Sequence, residues 1–191
     1  MTVHLVVGLG NPGAAYATTR HNVGFRVVDE LCRRNDVRWR SGRLFELATF
    51  HRADSLRLAK PLTYMNRSGA AVEALLEELA LGVDEVLLVV DDVDLPLGRL
   101  RLRASGGPGT HNGLRDICER LGEGFPRLRV GVRGDQEWGD LADFVLSPFE
   151  NDEIEAAEQT VRRAADAVDA VIDDGMKVAM DRFNRRPPEQ S

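Results

Sequence analysis

The chain has 191 residues, 43% hydrophobic and 29% charged, a balance that supports one globular domain with a sizeable core. Its net charge of −6 argues against a non-specific coat for nucleic acid. No apolar run approaches the roughly 18 residues of a membrane span. The first residues lack a basic segment ahead of an apolar one, so no export signal is expected. Cys32 and Cys118 are not spaced as C-x-x-C and read as core thiols, which places the protein in the cytoplasm.

The apolar run 3–7 reads as a short buried strand. It feeds a turn in which Gly8, Gly10 and Gly13 match G-x-G-x-x-G, a dinucleotide-binding pattern. That pattern needs a helix opening at the glycines and an acidic residue at the end of a second strand about 20 residues on. Here Pro12 and Thr18-Thr19-Arg20 delay the helix to about Asn22, and Asp29 and Glu30 fall inside it. A nucleotide-dependent enzyme is therefore the weaker reading. A plain turn leaves the adjacent Arg20-His21-Asn22 without a purpose.

Residues 23–34 carry Val23, Val27 and Leu31 on one helical face, with Asn22 as the expected N-cap. Residues 44–50 and 56–60 read as a hairpin or two adjacent strands joined by the polar 51–55. A helix over 68–80 follows, apolar at Val72, Leu75, Leu76 and Leu79, with Gly82 as its stop. The run 86–90 is the most apolar and predicts a central strand that ends at Asp91-Asp92. Residues 100–104 alternate with arginine as a strand. A second glycine-rich loop, 105–113, leads to a helix over 114–121. A strand over 127–132 and helices over 154–172 and 176–183 complete the series. These elements predict one α/β domain over residues 1–184, built on a mixed, mostly parallel sheet flanked by helices, with a loose tail over 185–191.

Polar groups recur after the strands: Asn11 and His21, then Tyr64, Met65 and Asn66, then Asp91, then His111 and Asn112. Open α/β sheets bind ligands at the carboxyl ends of their strands. The histidines and cysteines lack zinc spacing, and no G-x-S-x-G elbow is present. Asp91 and Asp92 are adjacent and would point apart on an extended strand, which disfavours paired-carboxylate chemistry. A histidine base oriented by an aspartate remains, with carboxamides able to hold a carbonyl or an oxyanion. The bland reading, strand-end turn formers and helix caps, stands beside it. Charge is also unevenly spread. Residues 99–133 hold eight arginines against three acids, a net +5, whereas residues 134–191 carry −9. A confined basic zone suits a local phosphate contact.

The chain resembles the bacterial peptidyl-tRNA hydrolase family in blocks dispersed over nearly its whole length. They include Gly8-Leu9-Gly10-Asn11-Pro12-Gly13, Tyr16, Thr19-Arg20-His21-Asn22-Val23-Gly24, and Thr63-Tyr64-Met65-Asn66 with Ser68-Gly69. Asp91, His111-Asn112-Gly113-Leu114 and Arg127-Leu128-Arg129-Val130-Gly131 extend the series. The resemblance implies a monomeric cytoplasmic hydrolase that cleaves the ester between peptide and tRNA, with no metal or other cofactor, no membrane and no obligate protein partner. It implies that His21 is the general base, Asp91 its orienting carboxylate and Asn11 a group assisting at the carbonyl. Tyr16, Tyr64, Met65, Asn66, His111 and Asn112 would line the substrate site. Arg101, Arg103 and Arg129 would meet the tRNA 5′ phosphate and acceptor stem. Residues 134–148 are expected to include a mobile lid. Pro108 and Thr110 depart from the family pattern, and Thr110 would carry strain if its position requires a positive φ. A non-catalytic RNA-binding module that keeps the cleft is the alternative.

Overall fold

A computed structural model of the chain describes residues 2–49, 56–135 and 138–185. The expected linker over 51–55 and, apart from Arg185, the expected tail lie outside these residues. A seven-stranded sheet is present among the described residues. In chain order its strands are β1 (Leu5–Gly8), β2 (Arg40–Ser41), β3 (Phe45–Thr49), β4 (Arg57–Pro61), β5 (Val86–Pro96), β6 (Leu100–Arg103) and β7 (Arg127–Arg133). Their spatial order is β2-β3-β4-β1-β5-β7-β6. The inner four, β4-β1-β5-β7, run parallel, and antiparallel strands flank them on both sides.

The helices are α1 (Val23–Arg34), α2 (Ser68–Leu79), α3 (Asn112–Leu121), α4 (Leu141–Val145), α5 (Ile154–Asp174) and α6 (Met176–Phe183). Strand parity divides the core. Val6, Leu87, Val89, Leu128 and Val130 face α1, α5 and α6. Leu5, Val7, Val86, Leu88 and Val90 face α2 and α3. The chain leaves β1 through α1 on one face and leaves β4 through α2 on the other. A crevice therefore opens at the carboxyl ends of β1 and β5, where the winding reverses.

Two glycines let α1 start hard against that crevice. A Cβ on Gly24 would collide with the carbonyls of Val89 and Leu9, and one on Gly8 with the carbonyl of Gly24. Gly10 meets the Phe25 ring instead. These glycines serve close packing of helix on strand, and the helix opens at Val23, not at the glycines, as Pro12 and the polar segment indicated.

Four expectations need correction. The central strand continues past Val90 to Pro96, because Asp91 and Asp92 pair with Val130 and Gly131 of β7 and their side chains find partners in His21 and Arg129. Asn22 does not cap α1 with its side chain, which turns back to Asn11. Helix α2 stops at Ala80, not Gly82. Ala80 adopts φ 53°, and the Leu81 amide donates to the Leu76 carbonyl, a Schellman closure reinforced by the two leucines. The five-residue α4 has no counterpart among the expected elements. Its N-cap, Asp140, accepts from the amides of Ala142 and Asp143. Cys32 is buried as expected, and burial pushes its thiol up to about 12, whereas Cys118 is half-buried.

Replacing Ala80 by glycine should stabilise the fold by about 1 kcal/mol, since alanine bears the left-handed backbone at a cost glycine does not. Gly24→Ala should destabilise it by about 1–3 kcal/mol or more through the carbonyl collisions. Urea unfolding midpoints of both variants check the two signs.

Candidate active site

A cleft of about 920 Å³ opens at the carboxyl ends of β1, β4 and β5. It brings together Asn11, His21, Tyr64, Met65, Asn66, Asp91, His111, Asn112 and Arg129 from the expected set. Residues Leu141, Ala142, Val145 and Leu146 of α4 and its exit close one side, within the segment expected to form a lid.

Asp91 lies at the centre. Parity places its side chain on the α1 face of β5, with Leu87 and Val89, toward the turn that carries His21. Its Oδ1 sits 2.7 Å from His21 Nδ1 and 3.0 Å from His111 Nε2. All three side chains are buried. The local network assigns the protons. His111 is the N-cap of α3, and its Nδ1 accepts the amide of Leu114 at 3.1 Å. That nitrogen must hold a lone pair, so the neutral ring carries its hydrogen on Nε2 and donates it to Asp91. His21 likewise donates from Nδ1, which leaves a lone pair on Nε2. Burial works against ionising Asp91, but the two imidazoles outweigh it and hold the carboxyl well below the usual carboxylate range.

Asp92 turns to the opposite face, as adjacent residues on a strand do, and pairs with Arg129 at 3.3 Å. The expectation that the two aspartates diverge holds. The atoms of His21, Asp91 and His111 that could bind a metal ion lie within 4.8 Å of one another. Both imidazole hydrogens already point at the carboxylate, however. Freeing His111 Nε2 for a metal would move its proton to Nδ1, against the Leu114 amide. The donor set fits a hydrogen-bonded triad better than a metal.

The carboxamides are also fixed. Asn11 and Asn22 exchange two hydrogen bonds, with the Asn11 amide donating to Asn22 Oδ1 and Asn22 Nδ2 to the Asn11 carbonyl. Asn11 Oδ1 accepts the Met65 amide at 2.7 Å. The oxygen is thereby occupied, and the Nδ2 donors of Asn11 remain for the cleft. Asn66 and Asn112 are exposed on the cleft wall. Tyr64 lines the cleft, while Tyr16 stands behind it with its ring edge-on at 6.4 Å and does not reach the lining.

The basic residues divide. Arg101 and Arg103 are exposed on β6, directly opposite Arg129 and Arg127 of β7, outside the cleft lining. Arg129 is bound to Asp92 and to the Gly107 carbonyl. Arg127 is buried, stacks on Phe125 and donates to the carbonyls of Gly106, Gly107, Glu123 and Phe125. It anchors the second glycine loop. The positive φ values there belong to Gly106 and Gly109, so Thr110 carries no such strain.

Arg20, beside the histidine, is a residue whose partners the sequence did not indicate. It is buried, donates to the Val132 carbonyl and to Glu153 at 2.6 Å, and lies between the rings of Phe144 and Phe149. Its amide donates to Ser147, and Thr19 pairs with Pro148. The turn bearing His21 is thus bonded to the segment that follows α4.

Residues 5–191 match the family model described as peptidyl-tRNA hydrolase. A peptidyl-tRNA hydrolase of Roseiflexus castenholzii is 48% identical over 189 residues, covering 97% of this chain and 88% of that protein. One from Synechococcus is 47% identical over 188 residues, covering 96% and 84%. The crystal structure of the peptidyl-tRNA hydrolase from Acinetobacter baumannii superposes with a TM-score of 0.90 at 32% identity, covering 97% of this chain and 96% of that one.

Because folding lowers the Asp91 pKa, the ionised carboxylate contributes stability above its ordinary value of 3.8, and this is lost as pH falls below that value. Asp91→Asn should therefore be less stable than wild type at pH 7, and the gap should shrink as pH drops below about 4. Urea unfolding of both proteins at pH 7, 4 and 3 measures the gap.

Proposed function

The chain belongs to the peptidyl-tRNA hydrolase family, enzymes whose substrate is peptidyl-tRNA, and we propose that it cleaves the peptide–ribose ester with water activated by His21. The observation that carries this reading is the buried fork at Asp91. It leaves one imidazole nitrogen, His21 Nε2, as an oriented acceptor at the cleft.

In this mechanism His21 Nε2 takes a proton from water as the water oxygen attacks the ester carbonyl carbon. Asp91 stabilises the resulting imidazolium, as a carboxylate partner does in other base-catalysed acyl transfers. His111 does not move protons in this scheme. It holds Asp91 in place and keeps it ionised. The carbonyl oxygen becomes an oxyanion, and the Nδ2 donors of Asn11 supply hydrogen bonds to it. Collapse of the tetrahedral intermediate breaks the bond to the ribose oxygen, which recovers the proton from His21. The products are a tRNA with a free 3′ terminus and a peptide carboxylic acid, which releases its proton to solvent and leaves as the carboxylate.

Asn66, Asn112, Met65 and Tyr64 line the wall against which the acyl group and terminal ribose would rest. Arg101 and Arg103 lie on the sheet face shared by Arg129 and are suited to the 5′ phosphate and acceptor stem. We read Arg129 as supporting that contact from its pair with Asp92. The protein acts in this reading as a cytoplasmic monomer with neither metal nor organic cofactor.

Single-turnover cleavage of an N-blocked aminoacyl-tRNA, with EDTA present, tests the proposal. His21→Ala and Asp91→Asn should each slow cleavage by about 10²–10⁴-fold without abolishing tRNA binding. A fully active His21→Ala enzyme would overturn the assignment of the base. A folded wild type that binds the tRNA and leaves the ester intact would favour the non-catalytic module.

A further inference from the structure

Among the described residues that line the cleft, the charged side chains besides the imidazoles are Arg67, Arg115 and Arg129 on the basic side, and Asp91, Asp92 and Asp140 on the acidic side. Every acid is already engaged. Asp91 receives two imidazoles, Asp92 pairs with Arg129, and Asp140 caps α4 through two amides. That pairing also consumes Arg129. Two positive charges remain, Arg67 and Arg115, both exposed, and among the described residues neither has a carboxylate in ion-pairing range. The guanidinium of Arg115 makes a long bond, 3.4 Å to Asn112 Oδ1.

The two arginines stand on one wall. Arg67 ends the short 3-10 turn Met65–Arg67, and Arg115 lies in the first turn of α3. The turn and the helix are held together. Gly113 leaves just enough room for Met65 Sδ, and the Gly69 amide donates to Asp116 Oδ2 at 2.6 Å. Asp116, the nearest acid in sequence, is spent on that amide and on Arg120, 3.7 Å away. It does not neutralise Arg115. Each arginine also follows closely on a carboxamide, Arg67 on Asn66 and Arg115 on Asn112. A ligand lying against the two carboxamides therefore passes two unneutralised guanidinium groups.

From this charge balance we infer that Arg67 and Arg115 form a second anion contact, which binds phosphodiesters of the single-stranded 3′ end next to the ester. It is separate from the arginines of β6, and it rests on the proposed substrate. The β6 pair, outside the cleft, serves the double-stranded stem. The α2–α3 wall serves the last unpaired nucleotides. Guanidinium groups suit this task because their planar fork matches phosphate oxygens and stays charged at any working pH.

The test compares a complete N-blocked aminoacyl-tRNA with an N-blocked aminoacyl-CCA trinucleotide, which lacks the stem and 5′ phosphate. Binding of the unacylated CCA trinucleotide is measured in parallel, so that a failure of catalysis is not mistaken for a failure of this contact. The Arg67→Gln/Arg115→Gln double variant should weaken trinucleotide binding and lower kcat/KM on both substrates by about 10-fold near 0.1 M salt. The slope of log affinity against log salt should fall by about 0.7 for each arginine lost. Arg101→Gln/Arg103→Gln should affect the complete tRNA and leave the trinucleotide unchanged. Unchanged trinucleotide binding and salt slope in the α2–α3 variant would overturn the inference. So would a loss confined to substrates with an acidic amino acid, which would mean that the arginines read the peptide. Both sites are exposed, and unchanged circular dichroism and melting temperature establish that the variants fold.

Discussion

One oxygen organises this molecule. Asp91 Oδ1 accepts two imidazole hydrogens inside a buried pocket, one from the turn after β1 and the other from the cap of α3. A lone carboxylate at that depth would carry a heavy desolvation penalty. Here two donors arrive from elements that pack on opposite faces of the sheet, the turn into α1 and the start of α3, and the ionised form is kept. The fold's winding makes this possible. The chain leaves β1 on one face and enters α3 on the other, and β5 between them reaches past the apolar core to present the acid. The same strand sends Asp92 the other way to Arg129, so one dipeptide supports both the pair of imidazoles and the basic flank.

The cleft then divides its labour by chemistry. Carboxamides stand beside the imidazoles, with Asn11 held by Asn22 and by the Met65 amide. Apart from Asp91, charge in the cleft lies away from the imidazoles, and much of it is cancelled in place. The negative sum over the chain and the basic stretch 99–133 are both poor guides to what a polyanion would meet. Arg127 is spent on holding a loop, Arg120 on Glu73, and Arg129 on Asp92. What counts is the set of guanidinium groups left over after the internal pairs are made.

Local physics was legible in the sequence, and long-range partnership was not. Helix α1 lies on residues 23–34 as its apolar spacing indicates, because burial of one face decides a helix of that length. The last helix, 176–183, was equally readable. By contrast, two adjacent aspartates look like a strand end until their partners, 70 and 37 residues away, are known. Asn22 looked like a cap because the residue type favours one, but its amide is worth more when paired with Asn11. Ala80 took the stop expected of Gly82, since the Leu76–Leu81 contact fixes where the helix closes. Helix α4 is too short for any periodicity to announce it. The strand-end polar residues were found by position alone. Sequence did not show that His111 shares the carboxylate of His21, and its role as a helix cap appeared only with the Leu114 bond.

The setting of Arg20 has a mechanical consequence. Its guanidinium is clamped by two rings, a carboxylate and a carbonyl, and one peptide bond separates it from the histidine. Lifting Ser147 to Phe149 would take one ring and the Ser147 carbonyl from Arg20, while Glu153 and Val132 still held the guanidinium. That end of the segment is therefore tied to the turn that bears His21. Trp138 stacks on Phe144, and Phe144 packs on Arg20, so one continuous contact runs from the start of the cover to the residue beside the histidine, and the bearing of the imidazole is set together with the wall of the cleft.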